Sequence, residues 1–251
     1  MIANLMMYAR PELSEAHARY WALLRTSFAD RGIASPETLA QEAEEFSVWR
    51  DPALVLSQTC GMPFRTQLQE TVTLIGTPDF GLDGCAPGYY NSAIIVREDD
   101  LRGDIAEYRE ARFAYNMAIS QSGWAAPYAH LQQHGFWFTK RFESGGHVNS
   151  AHAVANGSAD IAAVDAQTWA LIKRYEPWAE KLRVLEYTQP TPGLPYIAGP
   201  NADADTTFDA VAEAIAALIP EDADCLGLKG IVRIPKETYL AVPNPPASAA
   251  D

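Results

Sequence analysis

Cysteine is scarce in this chain, with three residues among 251. Cys60, Cys85 and Cys225 lie far apart and form no CxxC pair, so the sequence predicts neither a disulfide framework nor a zinc knuckle. No apolar run approaches the roughly 20 residues that a membrane-spanning helix requires. We therefore expect a chain that does not span a membrane and is long enough for one large domain or two smaller ones.

Positive charge is in deficit as well. The 19 lysine and arginine residues stand against 32 aspartate and glutamate residues, which gives a formal net charge of −13. A field of this sign repels nucleic acid and anionic lipid, so neither is expected as a partner. An anionic ligand would have to be held by local donors and helix N-termini, because the overall charge opposes it.

Several motifs of common cofactor and catalytic sites are missing. The sequence has no Walker A, GxGxxG or GxSxG stretch, which disfavours a P-loop, a Rossmann cofactor site and a hydrolase nucleophile elbow. His130 and His134 have the spacing of two zinc ligands, but "HLQQH" lacks the glutamate of HExxH. The sequence thus predicts neither a metal site nor a cofactor.

A secretory leader is not recognisable in the sequence as it stands. The stretch "MIANLMMYARPEL" has no basic segment, and its apolar run ends early at Arg10 and Pro11. It does not resemble a signal peptide. The expected location is therefore the cytoplasm, or the periplasm if a leader has been removed.

What the sequence does have is an alternation of short apolar runs with amphipathic segments. The apolar runs of strand length include residues 53–61, 72–78, 92–99 and 159–165. The segments with helical spacing include residues 123–134, 147–156 and 206–218. This alternation predicts an α/β fold with helices on both faces of its sheets.

Two crossings between lobes are predicted where apolar strands end in polar or proline-rich sequence, at residues 96–104 and 185–193. They make residues 1–98 and 189–242 a discontinuous first lobe and residues 99–188 an inserted second lobe. Residues 243–251 form a proline- and alanine-rich tail that is expected to be disordered. Ligands of such proteins bind in the cleft between lobes, at the carboxyl ends of strands.

The best candidate for a binding site is the turn between a predicted strand and a predicted helix at residues 120–123. Ser120, Gln121, Ser122 and Gly123 precede a helix N-terminus, which carries unpaired N–H groups and attracts anions. Capping explains one hydroxyl without any ligand. The second hydroxyl and the amide exceed what a cap requires, so we predict an anion site here.

Similar turns recur elsewhere in the sequence. "SGGHVNS" places His147 and Ser150 at the start of another helix, where they could face the same anion. "LSQTCGMPF" contributes Ser57 and Thr59 at a strand end, and "GYYNS" contributes an aromatic pair before a strand. We expect these loops to meet at one cleft.

Together, "LSQTCGMPF", "GYYNSAIIVRED", "SGGHVNSAHAV" and "GSADIAAVD" resemble the phosphonate- and phosphate-type substrate-binding proteins of ABC transporters. The resemblance runs over roughly residues 5–217 in a consistent order. It implies a two-lobed type 2 periplasmic-binding-protein fold, α/β with mixed sheets flanked by helices and a ligand cleft between the lobes. It also implies a solute-binding protein that closes by a hinge on a small anion, works with an ABC permease and is not an enzyme.

The resemblance also implies roles for single residues. Ser120 and Ser122 match the hydroxyl-rich turn that holds the anion, and His147 matches a histidine that contacts it. Either Tyr89 or Tyr90 matches an aromatic contact from the first lobe.

Gln121 stands where a hydroxyl residue is typical of the family, and Asp165 lies near an acid that meets the ammonium group of aminoalkyl phosphonates. Two other functions remain open on the same scaffold. One is a cleft enzyme similar to those of menaquinone or thiamine pathways, with His147 as general acid or base and Asp165 orienting it. The other is an intracellular ligand sensor.

Overall fold

Apolar runs of the sequence become strands of mixed sheets in the computed structural model, which describes residues 1–249. The strands are β1 (Ile2–Ala3), β2 (Leu54–Gln58), β3 (Thr73–Asp79), β4 (Tyr89–Tyr90), β5 (Ser92–Arg97), β6 (Arg112–Tyr115), β7 (Lys140–Glu143), β8 (Ile161–Asp165), β9 (Leu182–Tyr187), β10 (Thr191–Pro192), β11 (Tyr196–Ala198) and β12 (Gly230–Val232). The α-helices are α1 (Ser14–Ala29), α2 (Glu45–Trp49), α3 (Gly61–Pro63), α4 (Ala126–Gln132), α5 (His147–Ala155), α6 (Ala166–Tyr175), α7 (Ala204–Ala216), α8 (Pro220–Leu226) and α9 (Lys236–Leu240). None of the helices in this described part of the chain combines the length and apolar character needed to cross a membrane.

The chain folds into two compact units. The first consists of Met1–Tyr89 and Pro192–Ala241, and the second of Tyr90–Thr191 with residues 242–249. The predicted inserted segment, residues 99–188, is shorter than this second unit. The boundary differs because β5, assigned from the sequence to the first lobe, pairs antiparallel with both β8 and β9 in the second unit.

A mixed sheet with the strand order β1-β2-β11-β3-β12 forms the centre of the first unit. β1 is parallel to β2, whereas β11 is antiparallel to β2 and β3, and β12 is antiparallel to β3. Side chains alternate along β11, with Tyr196 and Ala198 packed toward α1 and α7. Ile197 packs on the other face, among Trp49 and Tyr239. The first unit therefore has a hydrophobic core on each face of its sheet.

The second unit is built on a mixed sheet with the order β7-β6-β8-β5-β9. β6 is parallel to β7 and β8, whereas β5 is antiparallel to β8 and β9. The carboxyl ends of β6, β7 and β8 consequently lie at one edge of the sheet, and β5 begins there. This edge carries most of the predicted site residues of the second unit.

Alanine dominates the face of this sheet that α5 covers. Ala93, Ala114 and Ala162 of the strands and Ala151 of the helix are fully buried in one cluster. Such small side chains let a helix lie close to a sheet without leaving voids. The opposite face is filled by the buried aromatic residues Tyr108, Phe113, Phe136 and Phe138. Close packing of α5 fixes the position of its first residue, His147.

Helix positions follow the sequence periodicity with small shifts at the ends. The predicted helix at 147–156 is α5, and the one at 206–218 is α7, which begins and ends two residues earlier. The helix predicted at 123–134 begins earlier, with a wide π-helical turn at Gln121–Ala125 that leads into α4.

The C-terminal tail differs from its prediction over the part that the structure describes. Ala247–Ala249 forms a 3₁₀ turn, and the indole of Trp137 donates a hydrogen bond to the Ala249 carbonyl at 3.1 Å. Residues 250 and 251, which the prediction of disorder also covers, lie outside the described residues. The indole of Trp137, a half-buried side chain, thus gains a partner that composition alone does not reveal.

Tyr239 attaches α9 to the sheet of the first unit, which generates a testable prediction. Its buried hydroxyl lies 2.6 Å from Thr77 Oγ1 and donates to the Gly193 carbonyl at 3.0 Å. Tyr239→Phe leaves both partners buried without this bond, so we expect the free energy of unfolding to fall by about 1–3 kcal/mol. Urea denaturation measures this loss.

The matched control is Tyr128→Phe, because the Tyr128 ring packs on Trp137 while its hydroxyl makes no hydrogen bond within residues 1–249. We expect this control to change stability by less than about 0.5 kcal/mol. Equal stability of the two variants would contradict the assigned role of the Tyr239 hydroxyl.

Candidate functional site

Strand ends of the second unit bring the candidate site residues to one edge of its sheet. β6 runs into the turn at residues 116–123, β7 runs into residues 144–147, and β8 ends at Asp165. These connections leave the same edge because β6 is parallel to both β7 and β8. Antiparallel β5 begins there with Ser92, which is paired with Asp165. Carboxyl ends of strands are the usual place for ligands in open α/β sheets.

Ser120 closes the turn between β6 and α4. Its Oγ accepts a hydrogen bond from the Gly123 N–H at 3.0 Å, which makes it a helix N-cap. The Ala125 N–H donates to the Ser120 carbonyl at 3.0 Å and closes the wide first turn. Gln121 and Ser122 are both buried within this turn. Capping therefore engages the first of the two predicted hydroxyls.

The second hydroxyl, that of Ser122, lies against the predicted histidine. Ser122 Oγ is 2.9 Å from His147 Nε2, and Asn116 Nδ2 is 3.3 Å from the same nitrogen. Ser122 stands in the first turn of one helix, and His147 is the first residue of another. Two helix N-termini, each with backbone N–H groups that lack acceptors inside the helix, are thereby brought together.

His147 is held in its neutral form. Burial lowers the pKa of its imidazole to about 4, an effect that the backbone carbonyl of Ala163 partly opposes. The ring is therefore uncharged near pH 7, whereas a charge-assisted hydrogen bond to an anion requires the protonated ring. A bound anion would raise the pKa of His147 again, because a nearby negative charge stabilises the imidazolium.

Gly123 leaves the space that the contact between the two turns needs. A Cβ atom at this position would collide with Asn116 Oδ1 and would lie 3.1 Å from His147 Cε1. Any larger residue would displace one of these two side chains. From the sequence, Gly123 is expected to let a ligand approach the backbone closely. In the structure, the side chains of Asn116 and His147 lie close to the backbone at this position.

Asn116 is a residue of this edge that sequence reasoning missed. It is buried, and its Oδ1 has no hydrogen-bond partner among residues 1–249. Its backbone carbonyl accepts from the Gly145 N–H at 3.0 Å, so it also joins the two turns through the main chain. The available signal was a polar residue immediately after the apolar strand "RFAY".

Ser150 braces the loop before α5. It is fully buried, and its hydroxyl lies 2.7 Å from Ser144 Oγ, which in turn donates to the Gly146 carbonyl at 2.9 Å. Gly146 is the N-cap residue of α5 and offers no side chain to its N–H groups. The helix start at His147 thus keeps its backbone donors, while the predicted ligand contact of Ser150 stays a prediction.

Asp165 begins α6. Its buried carboxylate accepts a hydrogen bond from the Thr168 N–H at 2.8 Å, as an N-cap aspartate does. This interaction accounts for an acid at the end of β8 without any ammonium ligand. The role that the resemblance implies for Asp165 stays a prediction.

The other predicted residues come from the first unit and from the chain crossing. Ser57 is fully buried and donates to Asn4 Oδ1, so it supports the fold of its own unit. Thr59 is also fully buried, and its Oγ1 has no hydrogen-bond partner among residues 1–249. Tyr89 ends the first segment of the first unit, and buried Tyr90 begins the second unit. Ligand contacts of Thr59 and of the two tyrosines remain predictions.

Comparison with protein families gives one match over most of the chain. A family model for the periplasmic substrate-binding protein of phosphonate ABC transporters matches residues 53–239. Among curated proteins, no sequence matches this chain.

Many solved structures have the same fold as this chain. PhnD1 from Prochlorococcus marinus, in complex with methylphosphonate, is 15% identical with a TM-score of 0.69, over 95% of this chain and 94% of that one. A binding protein component of an ABC phosphonate transporter from Pseudomonas aeruginosa is 15% identical with a TM-score of 0.68, over 95% and 82%. A Xanthomonas citri protein bound to ATP is also 15% identical, with a TM-score of 0.68, over 94% and 91%. The predicted α/β periplasmic-binding-protein fold, with mixed sheets flanked by helices, is confirmed.

The depressed pKa of His147 gives a second testable prediction. Its ring resonances in an NMR titration should show a midpoint near pH 4, and His147→Gln identifies them, because buried His17 has its pKa lowered to about 4 as well. The unfolded chain binds this proton more readily, so the free energy of unfolding should fall as the pH drops from about 6.5 toward about 4.

His147→Gln should remove its part of this pH dependence, measured as the difference between variant and parent in urea denaturation at several pH values. A His147 midpoint at its ordinary value, together with parallel stability profiles of parent and variant, would contradict the burial of a neutral ring.

Proposed function

We propose that this chain, which belongs to the family of periplasmic substrate-binding proteins of phosphonate ABC transporters, reversibly binds a small phosphonate- or phosphate-like oxyanion at Ser122 and His147. The single observation that carries the proposal is the 2.9 Å contact between Ser122 Oγ and His147 Nε2 at two adjoining helix starts. Members of this family deliver a small ligand to a permease, so an ABC permease is the proposed protein partner.

The donors at this edge suit a tetrahedral oxyanion. Such a ligand offers several oxygens in different directions, and the Ser122 hydroxyl, the His147 ring and backbone N–H groups of two helix starts can each donate to one of them. Without a ligand, Ser122 Oγ and His147 Nε2 contact each other. An oxygen of the ligand placed between them would replace this one hydrogen bond by two, one to each residue. Gly146 adds no capping side chain that would compete for the same donors.

Charge at the site would be supplied on binding. The chain carries a net charge of −13, so a permanently cationic pocket is not what draws the ligand. As the anion approaches, the pKa of His147 rises, and the ring can take up a proton and form a charge-assisted hydrogen bond. Proton uptake of this kind would couple affinity to pH, with tighter binding at mildly acidic than at alkaline pH.

Gln121 is the proposed determinant of which oxyanion fits. It is buried in the turn beside Ser122, where the family typically has a hydroxyl residue. An amide is longer than a serine hydroxyl and offers an acceptor as well as donors. We therefore propose that it narrows the site and favours a protonated oxygen of the ligand, as in a monoanionic phosphonate.

A second candidate function rests on the same contact. A serine hydroxyl within hydrogen-bond reach of a neutral histidine nitrogen is also the arrangement of a nucleophile and its base. An enzyme that uses His147 would lose turnover in His147→Ala while it retains ligand, whereas a binding protein would lose affinity. The same variant therefore distinguishes the two functions.

Ligand affinity of single variants is the third testable prediction. Ser122→Ala and His147→Ala each remove one donor to the oxyanion, and a hydrogen bond to a charged group contributes about 1.5–3 kcal/mol, so the Kd for methylphosphonate should rise at least about tenfold. Isothermal titration calorimetry with methylphosphonate, phosphate and sulfate measures the change.

The control for these variants is Ser158→Ala, an identical substitution at an exposed position on the second unit. Its Kd should equal that of the parent. If the folded parent binds none of the three anions, or if Ser122→Ala and Ser158→Ala bind equally well, the proposed site is wrong.

A further inference from the structure

We propose that the second unit carries a binding site for a divalent transition-metal ion of the zinc type, formed by His130, His134 and Glu186. The proposal is independent of the proposed anion site, since it shares no residue with it. One potential ligand atom from each of the three side chains lies within 4.8 Å of the other two. The sequence predicts no metal here, because "HLQQH" has the spacing of two zinc ligands but lacks the glutamate of HExxH.

The third ligand comes from a distant part of the chain. His130 lies in the last turn of α4, and His134 follows in the turn just after that helix. Glu186 belongs to β9, which is paired with β5 in the sheet. Its Oε1 lies 2.7 Å from His130 Nε2. Tertiary packing thus completes a His₂Glu set that sequence spacing leaves incomplete.

Distances within the cluster match a metal site that needs only small side-chain shifts. Tetrahedral zinc with bonds of about 2.0–2.2 Å places its ligand atoms about 3.3–3.6 Å apart. The contact between His130 and Glu186, now 2.7 Å, would open by less than about 1 Å, and the His134 ligand atom would move inward by at most about 1.5 Å. His134 is exposed, so its ring can turn without disturbing the core.

The bonding of His130 leaves it able to take a metal. Its ring has one hydrogen bond, from Nε2 to Glu186, while its Nδ1 is buried with no hydrogen-bond partner among residues 1–249. The nitrogen that faces Glu186, Nε2, is therefore the one placed to bind the metal, with the ring proton carried on Nδ1. The rings of His130 and His134 are already neighbours, with centroids 5.4 Å apart.

Local electrostatics favour a cation at this position. Glu186 brings a carboxylate, and the C-terminal end of α4 presents the negative pole of the helix dipole. Arg109 donates to the carbonyls of His134 and Gly135 at 3.4 and 3.1 Å, which adds a positive charge but also steadies the turn that holds His134. The electrostatics favour a cation in general, and the types of the three ligands determine which metal is preferred.

The ligand set favours zinc over the common alkaline-earth ions. Two imidazoles and one carboxylate suit Zn²⁺, with water in the fourth position. Mg²⁺ and Ca²⁺ prefer oxygen ligands in larger number. A bound ion would link α4 to β9. Because α4 follows directly from the turn that contains Ser122, this link would restrain the second unit near the candidate anion site.

Zinc titration of the full chain tests the proposal. The untagged protein is treated with a chelator, dialysed and titrated with ZnCl₂ by calorimetry, and we expect one ion per chain. His134→Ala should weaken zinc binding at least about tenfold, because an exposed ligand is lost while the fold keeps its core. Glu186→Gln should weaken it similarly, since the amide keeps the size of the side chain but loses its charge.

Two control variants make the result specific. His152→Ala removes an exposed histidine of α5 that lies outside the cluster, and Ser158→Ala changes an exposed residue outside both candidate sites. Both should bind zinc as the parent does, and Co²⁺ in place of zinc should give the visible absorption of a tetrahedral complex in the parent but not in His134→Ala. No zinc binding by the parent, affinity unchanged in both His134→Ala and Glu186→Gln, or an equal loss in His152→Ala would overturn the proposal.

Discussion

The contact between Ser122 Oγ and His147 Nε2 is the constraint on which the candidate site depends. Each residue stands at the start of a helix that follows a strand of the second unit, and parallel pairing of β6 with β7 puts these starts side by side. Gly123 gives the contact its space, and Asn116 joins the same two turns through side chain and backbone. Alanine packing under α5 holds His147 at this distance. These parts together hold the two donors side by side.

Burial gives this contact its chemical character. In water an imidazole is partly charged near neutral pH, but burial lowers the pKa of the His147 ring to about 4, so the ring is neutral near pH 7. A chain with a strongly negative net charge can therefore hold an anion without a permanent cationic pocket. On the proposed function, neutral donors from two helix starts would discriminate by geometry, and a proton taken up by His147 on binding would add the attraction that the overall field lacks.

Much of the fold follows from the sequence, since apolar runs alternate with amphipathic segments and predict an α/β protein. The family resemblance is also confirmed by the match over residues 53–239. The domain boundary was harder to predict from the sequence. The apolar residues of β5 would suit either unit, and only its pairing with β8 and β9 places this strand in the second unit. Local pattern carries no information on which distant strand will be the neighbour.

The meeting of hydroxyl-rich turns at one edge of the sheet could be predicted from the sequence, but the contacts of their single residues could not. Hydroxyl-rich turns cap and brace chains as readily as they bind ligands, so Ser120 as a cap and Ser150 as a brace are indistinguishable in sequence from Ser122. Asn116 and Glu186 gain their positions only from tertiary packing.

The most direct test of the account follows the His147 ring by NMR at pH 6 while methylphosphonate is added. The account predicts a saturable shift of the ring resonances toward the protonated form, and no such shift in Ser122→Ala. A ring that stays neutral while calorimetry reports bound methylphosphonate would contradict it, because the anion would then be held elsewhere.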